Sequence, residues 1–314
     1  MGNRNAKLIG GFAVLASSLW IFTAVGEAQT TINVNCGVGA TIASVLAKNL
    51  RPGSTILVSG TCNENVIIDA HHLDITLDGQ GTATISGPDA TNHTIRLRGR
   101  GITIKNFASI TGGLNGINVA RGGSALIDSN TIQSTGNQGI AVITSSTARI
   151  VNNIIQNNPN NGIVVSEGAS ARIGILTNSD TVASPNTIQN NSNRGINVRG
   201  HSTAKIVGNT ISGNLSDGVL VNEVSQADLA SNVISNNGGT SAGYGINFGR
   251  NSGVNLGNDT GTTIFDLPNS GTGNALFGIR CFINSYGDGR QGTLTGNSGA
   301  VDFTSTSCIN SLVP

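Results

Sequence analysis

The sequence predicts an all-β fold, a single-stranded right-handed parallel β-helix (solenoid) with a short N-terminal capping helix. Three observations predict it. Two sequence markers recur with a step of 23 residues, short runs between them alternate apolar and polar residues, and Gly or Asn stands where runs end. A regular step of this length is typical of a solenoid, in which each repeat forms one coil and buries its apolar face against its neighbours.

The repeat is visible in two series of residues that share one register. The glycine series, in which every member precedes Ile or Val, is Gly116, Gly139, Gly162, Gly195, Gly218, Gly245 and Gly278. The asparagine series is Asn130, Asn153, Asn186, Asn209 and Asn232. The commonest step in both series is 23 residues, and both take a step of 33 across the same stretch. The two series therefore mark the same coils.

Each coil contains three short strands, as residues 195–214 illustrate. Ile196 and Val198 flank Asn197, and Ala204 and Ile206 flank the next outward residue. Alternation with a period of two buries one face of each run, and runs this short are strands rather than helices. Strands of successive coils then pair in parallel without crossover helices, and the usual hand of such connections is right.

The asparagine series is predicted to be structural. Asn tolerates the left-handed backbone conformation that a corner often requires, and stacked amides can hydrogen-bond from coil to coil. An asparagine row that lines a ligand site is the alternative interpretation.

Two coils contain extra residues at one position. The extra segments lie between Ile173 and Asn186 and between Leu256 and Asn269, and both end in Pro-Asn. They are predicted to be the same loop, inserted twice from the same corner. Loops that project from one side of a rigid scaffold often form binding surfaces.

The first 28 residues have the pattern of an export signal. Arg4 and Lys7 precede an uncharged, mostly apolar run from Leu8 to Val25, and Gly26-Glu27-Ala28 places small residues where a signal peptidase cuts. We expect residues 1–28 to be removed, which makes the mature protein secreted or periplasmic, without membrane association. Retention of this segment as a membrane anchor is the alternative.

The mature chain is predicted to consist of an N-terminal cap, residues 29–54, and a β-helix domain, residues 55–314, of roughly ten or eleven coils. Within the cap, an amphipathic helix is expected from Thr41 to Leu50, ended by Pro52-Gly53. Such a helix covers the strand edges and core that the end of a stack exposes.

The four cysteines are predicted to form two disulfides, because an even number in an exported protein favours pairing. Cys36 lies 26 residues before Cys62, and Cys281 lies 27 residues before Cys308, so each pair is about one coil apart. Crossed pairs would join opposite ends of a stack some ~40 Å long, whereas bridged Cα atoms lie within ~7 Å. The predicted bonds are Cys36–Cys62 and Cys281–Cys308, the second closing the C-terminal coil.

Composition excludes some classes of partner. Without residues 1–28, the chain has 15 Lys and Arg against 15 Asp and Glu. We therefore expect no nucleic-acid partner. Seven of the eight aromatic residues that remain follow residue 243, which disfavours docking of neutral sugars on aromatic rings along the coils. The mature protein is expected to be a monomer.

The start of the mature chain resembles pectin-lyase-like right-handed β-helix proteins. The resemblance lies in a cap helix followed by Arg51-Pro52-Gly53-Ser54-Thr55-Ile56, Gly60-Thr61-Cys62-Asn63-Glu64-Asn65-Val66 and Ile75-Thr76-Leu77-Asp78-Gly79-Gln80-Gly81. The later coils are similar to the parallel β-helix repeat of the same superfamily, so the resemblance covers roughly residues 32–310. It implies the fold. For activity it implies a range of lyases, hydrolases, epimerases and adhesins, and no single one.

Calcium is not supported by the sequence. Calcium-dependent lyases of this superfamily hold the ion with acidic residues on neighbouring coils. Here the coil position of Asp128 is taken in the following coils by Val151, Gly174, Val207 and Ala230. Carboxylates that stack on carboxylates, as an oxygen-rich calcium site requires, are therefore missing from this position.

Other candidate residues are predicted to be structural. Asp74 and Asp78 stand in the common turn of the superfamily, and His71-His72 lacks a third ligand at metal-binding spacing. Asp288 is expected in a loop or turn. We predict no metal and no cofactor, and no catalytic constellation is identified. If the protein is an enzyme, the resemblance implies a polysaccharide lyase, hydrolase or epimerase.

One outward position of the second strand of each coil is basic in three consecutive coils. Its residues are Thr103, Leu126, Arg149, Arg172, Lys205 and Asp228. Like charges stacked at ~4.8 Å repel, so we expect Arg149, Arg172 and Lys205 to bind an anionic partner. The sequence thus predicts an exported protein that binds or processes an extracellular acidic polysaccharide. The alternative is a non-catalytic structural or adhesive surface solenoid, with these side chains lying over apolar neighbours.

Two further surface features are charged. Arg96, Arg98 and Arg100 form a second basic patch. The corner after the first strand has mixed signs, which predicts weak surface ion pairs. Its residues are Arg121, Thr144, Glu167, Gly200, Glu223 and Arg250.

Overall fold

The computed structural model describes residues 2, 30–239, 242–257, 263–303 and 307–313. Within these residues the chain is a parallel β-helix, in which 30 strands form three sheets of 12, 8 and 10 strands. The predicted all-β solenoid is confirmed. The predicted signal peptide, residues 1–28, lies outside the described residues except for Gly2.

Sheet A has 12 strands and contains the second strand of each coil. Its strands are Thr31–Asn35, Thr55–Ser59, Thr76–Asp78, Ile102–Lys105, Ser124–Asp128, Thr147–Val151, Ser170–Ile173, Thr203–Val207, Gln226–Ala230, Gly253–Leu256, Tyr286–Arg290 and Ile309–Val313. Eleven of them lie between residues 55 and 313, in agreement with the predicted number of coils.

In eight coils, strands of sheets B and C follow the sheet A strand in that order, whereas the coils of Gly253–Leu256 and Tyr286–Arg290 have described strands in sheets A and C only. The strands of sheet B are Thr61–Asn63, Thr84–Gly87, Ser109–Gly112, Thr131–Thr135, Ile154–Gln156, Thr187–Gln189, Thr210–Ser212 and Val233–Ser235. The strands of sheet C are Val66–Ile68, Ile95–Leu97, Ile117–Val119, Ile140–Val142, Ile163–Val165, Ile196–Val198, Val219–Val221, Ile246–Gly249, Phe277–Phe282 and Gly299–Asp302.

The core is a set of apolar rows that run along the stack. In sheet C, Ile117, Ile140, Ile163 and Ile196 pair in register and are completely buried. Burial of one such side chain stabilises the fold by about 1.5–3 kcal/mol. The period-two alternation thus identified the inward positions correctly.

The asparagine series forms a buried ladder, as predicted. The side-chain Nδ2 and the N–H of Asn153 both donate to Oδ1 of Asn186, at 3.0 and 2.9 Å. The same pattern repeats in each coil and extends to Asn269. A second ladder, which the sequence analysis missed, follows sheet B. Its members are Asn158, Asn191, Asn214, Asn237 and Asn274.

The expectation that the ladder asparagines themselves adopt the left-handed conformation is wrong. Positive φ occurs one residue earlier, at Ser129 (58°), Asn152 (57°) and Ser231 (57°). The corner is therefore turned before the ladder residue. This leaves the asparagine side chain directed into the interior, where it bonds to backbone carbonyls and to the next coil.

The cap helix is shorter than expected and covers Ile42–Leu46. Its buried residues are Ile42, Val45 and Leu46, whereas Leu50 reaches the core from outside the helix. The Glu64 carboxylate accepts hydrogen bonds from the N–H groups of Ile42 (2.7 Å) and Ala43 (2.9 Å). Thr31–Asn35 precedes the helix and pairs with Thr55–Ser59, so sheet A begins before the predicted β-helix domain.

Both predicted disulfides are present. The Cα atoms of Cys36 and Cys62 are 5.0 Å apart, and those of Cys281 and Cys308 are 6.0 Å apart. Each bond joins adjacent coils near one end of the stack, because cysteines about one coil apart lie side by side.

Removing the C-terminal disulfide with Cys281→Ser/Cys308→Ser is expected to lower the free energy of unfolding by about 3 kcal/mol, because the unfolded chain regains the entropy of an open loop. Cys36→Ser/Cys62→Ser is the matched variant and should lose a similar amount, since its cysteines are 26 residues apart and those of the C-terminal disulfide are 27 apart. Urea unfolding followed by far-UV circular dichroism measures both. A peptide containing one cysteine from each end in non-reducing mapping would contradict the pairing.

Candidate functional site

The three basic residues predicted to bind an anion are stacked in register on sheet A. Arg149 pairs with Arg172, and Arg172 pairs with Lys205. We call these three residues the basic row. The row continues as Leu126 on one side and Asp228 on the other, as expected from the repeat.

The basic row lies in an open groove of about 710 Å³ on the outer face of sheet A. Beside it runs a row of hydroxyl side chains, Ser124, Thr147, Ser170 and Thr203, which also line the groove. The groove therefore offers cationic groups and neutral hydrogen-bonding groups in parallel rows, one pair in each of three coils.

The first inserted loop forms part of the groove wall. Asn178 from this loop lines the groove, and the loop is held in shape by Asp180. Asp180 accepts hydrogen bonds from the N–H of Leu176 (2.7 Å) and from Thr177. The Thr177 hydroxyl and the Leu176 N–H hold the pKa of Asp180 below its ordinary value, and Arg172 contributes to the same shift.

The second inserted loop leaves sheet A at the same corner, which confirms that prediction. Residues 258–262 of this loop lie outside the described residues. In the described part, Asp266 accepts hydrogen bonds from the N–H and hydroxyl of Thr263, the same turn as in the first loop. Phe265 lines a smaller cleft with Lys205, whose Nζ lies 4.9 Å from the ring centroid.

The charges of the basic row are only partly compensated. Lys205 Nζ lies 3.8 Å from a carboxylate oxygen of Asp228, a partly exposed pair that contributes little stability. Arg149 and Arg172 form no ion pair with any residue that the structure describes. The row therefore keeps two arginines that no ion pair occupies in the described part of the chain, although Asp180 lies within electrostatic reach of Arg172.

One member of the histidine pair, His72, has structural contacts. His72 is buried, with its Nε2 3.0 Å from the carbonyl oxygen of Leu46 and its Nδ1 3.2 Å from that of Asp69. These contacts hold the cap helix to the first coils. They leave neither ring nitrogen of His72 for a metal.

The carboxylate of Asp78 also has structural partners. It accepts hydrogen bonds from the N–H of Gln80 (2.9 Å) and from Asn106 (3.1 Å), and Lys105 Nζ lies 3.3 Å away. Burial raises the pKa of Asp78, but these partners outweigh it and lower the pKa below its ordinary value. The prediction that Asp288 lies in a loop or turn is wrong. It lies within Tyr286–Arg290 of sheet A, because that run pairs in register with Gly253–Leu256.

The mixed-charge corner row forms surface contacts, as predicted. The Thr144 hydroxyl donates to Glu167 (2.7 Å), and Arg250 lies 3.8 Å from Glu223.

One group of three potential metal ligands, Cys36, Cys62 and Glu64, lies close together within the described residues. It does not have the chemistry of a metal site, because both sulfurs form a disulfide and the carboxylate caps the helix.

A buried carboxyl group just before Val219–Val221 of sheet C was missed by the sequence analysis. Asp217 is 5% exposed and lies 3.2 Å from Arg194 Nε. It also accepts hydrogen bonds from the N–H of Tyr244 and from Asn247. Burial raises the pKa of Asp217, and Arg194 opposes this without reversing it. No signal in the sequence marks Asp217, because the residues at its position in neighbouring coils are of other types.

Comparison with known proteins agrees with the fold. A family model described as a right-handed β-helix region matches residues 54–179 and again 169–298. The alginate lyase from Paenibacillus sp. str. FPU-7 is 16% identical, with a TM-score of 0.55 over 91% of this chain and 99% of that one. A double mutant of the periplasmic alginate epimerase AlgG is 13% identical, with a TM-score of 0.51 over 90% and 84%. No curated protein matches the sequence.

At these identities the likeness to the solved structures is one of fold. The handedness in the family description agrees with the right-handed connection predicted from the repeat. No helix in the described part of the chain is both long and apolar enough to cross a membrane.

Proposed function

This chain belongs to the right-handed β-helix family, and on that premise we propose that it binds an extended acidic polysaccharide in the groove on sheet A. The observation that carries the proposal is the basic row, three cationic side chains in register on the face of an open groove. Its two arginines have no ion-pair partner among the described residues.

Repulsion within the basic row supports an anionic ligand. Successive coils are ~4.8 Å apart, and two unit charges at this distance repel by about 1 kcal/mol even in water. A polymer with a negative charge at intervals along its length would relieve this repulsion in three coils at once. Guanidinium groups suit carboxylates in particular, because they can donate two parallel hydrogen bonds.

The shape of the groove supports an extended ligand rather than a small one. It is open along the stack, and the same cationic and hydroxyl positions recur from coil to coil. Both solved structures described above are named as alginate-acting enzymes. Alginate is therefore the first polymer to test.

The proposal is one of binding. Asp228 is the only acidic residue among the described residues that line the groove, and it is paired with Lys205. A general acid and base at hydrogen-bonding distance from a bound sugar, which hydrolysis or elimination requires, are therefore not assigned. Binding outside the cytoplasm is consistent with the two disulfides, since such bonds persist in oxidising compartments.

The test compares binding of alginate oligomers by residues 29–314 with binding by Arg149→Gln/Arg172→Gln/Lys205→Gln. We expect the triple variant to bind about 100-fold more weakly, at about 1 kcal/mol for each partly exposed charged contact. The affinity of the wild type should also fall more steeply with salt. Isothermal titration calorimetry at two ionic strengths measures both effects.

The matched control is Lys48→Gln/Arg199→Gln/Arg250→Gln, which removes three exposed positive charges away from the groove. It should bind alginate like the wild type. Equal weakening in both triple variants would mean that only overall charge matters. Absence of binding by the wild type to alginate and to other uronate polymers would favour the structural or adhesive alternative.

A further inference from the structure

A second cleft lies on the outer face of sheet C, on a different side of the stack from the groove. Its volume is about 310 Å³, and its lining includes His93, Arg96, Arg98, Asn118 and Arg121. We call it the sheet C cleft. Arg96 belongs to Ile95–Leu97 and pairs with Asn118 of the next coil.

Positive charge predominates around the sheet C cleft. Three guanidinium groups line it, and the ion pair found there is a long one, 3.9 Å from Arg96 to Asp69. The carboxylate of the nearby Asp89 accepts hydrogen bonds from Thr91 and Asn92 within its own turn. The described residues that line the cleft thus include three guanidinium groups and no carboxylate, whereas Asp69 and Asp89 stand outside this lining.

Glu167 borders the cleft without lining it, since its carboxylate accepts a hydrogen bond (2.7 Å) from the hydroxyl of Thr144, a lining residue. Two coil steps of ~4.8 Å separate the position of Glu167 from that of Arg121. Arg100, the third member of the basic patch in the sequence, does not line the cleft. The cluster is therefore formed by Arg96, Arg98 and Arg121, which the sequence analysis did not group.

Polar atoms without partners are concentrated at this cleft. Of the seven buried side-chain atoms that have no hydrogen-bond partner in the described residues, four belong to residues that line it. They are His93 Nδ1, Arg96 Nε, Arg98 Nε and Asn118 Nδ2. Buried donors are normally satisfied, because the loss of their hydration is otherwise uncompensated. A ligand with several acceptor oxygens, admitted by rotation of these side chains, would supply the missing partners.

We propose that the sheet C cleft binds a doubly charged tetrahedral oxyanion, a sulfate or phosphate group, independently of the groove on sheet A. Three guanidinium groups, in a lining whose described residues include no carboxylate, suit a dianion better than a singly charged carboxylate. Four oxygens can accept from three guanidinium groups, an imidazole and an amide at once, whereas a carboxylate offers two. The anion is either the free ion or an ester of a larger molecule, since both present the same oxygens.

His93 provides a reporter for this site. Burial lowers the pKa of His93, and the charge of Arg96 lowers it further. A bound dianion favours the imidazolium form, so the pKa of His93 should rise when the cleft is filled. The Arg96→Gln substitution should also raise it, without any ligand, because it removes a neighbouring positive charge.

The experiment titrates residues 29–314 with sodium sulfate and, separately, with sodium phosphate at constant ionic strength, and follows the His93 ring by NMR. We expect both ions to raise the pKa of His93, and acetate at the same ionic strength to leave it unchanged. A sugar sulfate ester forms the third arm. If the ester binds more tightly than free sulfate, the ligand of the cleft is an ester group of a larger molecule. Equal affinities would identify the free ion as the ligand.

Two variants keep the result interpretable. Arg121→Gln, at an exposed corner, should weaken sulfate binding at least about tenfold while leaving the fold intact. The groove variant Arg149→Gln/Arg172→Gln/Lys205→Gln should bind sulfate like the wild type, so the two proposals can fail separately. An equal response of His93 to acetate and sulfate, or undiminished sulfate binding by Arg121→Gln and Arg98→Gln, would overturn the proposal.

Discussion

Replacing Asn209 by alanine is expected to lower the free energy of unfolding by about 3–5 kcal/mol, although the side chain has no part in either proposed site. Oδ1 of Asn209 accepts from the N–H (3.0 Å) and Nδ2 (2.8 Å) of Asn186. Its Nδ2 donates to the carbonyl oxygens of Ile173 (2.9 Å) and Val207 (3.1 Å) and to Asn232 (3.1 Å). One side chain thus connects three successive coils.

Alanine removes all of these hydrogen bonds and leaves a buried cavity. The N–H of Asn186 then has no acceptor in an interior that water does not reach, which costs about 1–3 kcal/mol for that group alone. The carbonyl oxygens of Ile173 and Val207 also lose a donor. Loss of van der Waals contacts around the vacated amide adds to the effect.

The control is Gln156→Ala, which interrupts an otherwise similar side-chain ladder. Gln156 donates to Gln133 (2.9 Å) and accepts from Gln189 (2.8 Å), but it is only partly buried. Water replaces those bonds, so the loss should stay at about 1 kcal/mol or less. Urea unfolding followed by far-UV circular dichroism compares the two variants. Equal losses would contradict the view that burial gives the asparagine ladder its strength.

The two ladders show what the repeat made predictable and what it did not. The ladder of Asn209 follows directly from the spacing of the asparagine series. The second ladder has steps of 33 and 23 as well, from Asn158 to Asn191 and on to Asn214. It was missed because other asparagines adjoin its members in the sequence, as Asn157 adjoins Asn158. Spacing alone does not show which of two adjacent asparagines has its side chain in the interior.

The two candidate sites also differ in how far the sequence predicts them. The basic row could be predicted, because equivalent positions in successive coils must stack once the step is known. The sheet C cleft joins Arg96 and Arg98 to Arg121, which occupies a different position in the next coil. Which of its polar atoms lack a hydrogen-bond partner depends on how the side chains pack at a corner. Periodicity carries no information about such contacts.

Periodicity identified the glycine series but not the reason for it. These positions require glycine because the coils approach each other closely there, and not because of the backbone conformation. A Cβ built on Gly195 would lie 2.7 Å from the carbonyl oxygen of Gly218, 2.6 Å from Ile211 Cγ2 and 2.9 Å from Asn214 Nδ2. Gly139, Gly162, Gly218 and Gly245 meet the carbonyl oxygen of the following coil in the same way. Only glycine fits where the coils approach this closely.

Gly195→Ala is therefore expected to lower the free energy of unfolding by about 4 kcal/mol. Overpacking alone costs about 1–3 kcal/mol, and the displaced carbonyl of Gly218 also weakens the hydrogen bond that it accepts from Ile196 (2.9 Å). The matched control is Gly122→Ala. Gly122 has a φ of 74° and no neighbour within 4 Å of a built Cβ, so backbone strain of about 1–2 kcal/mol is its only cost. Urea unfolding followed by circular dichroism measures both variants, and a loss at Gly195 no greater than at Gly122 would show that the coils can separate to admit a methyl group.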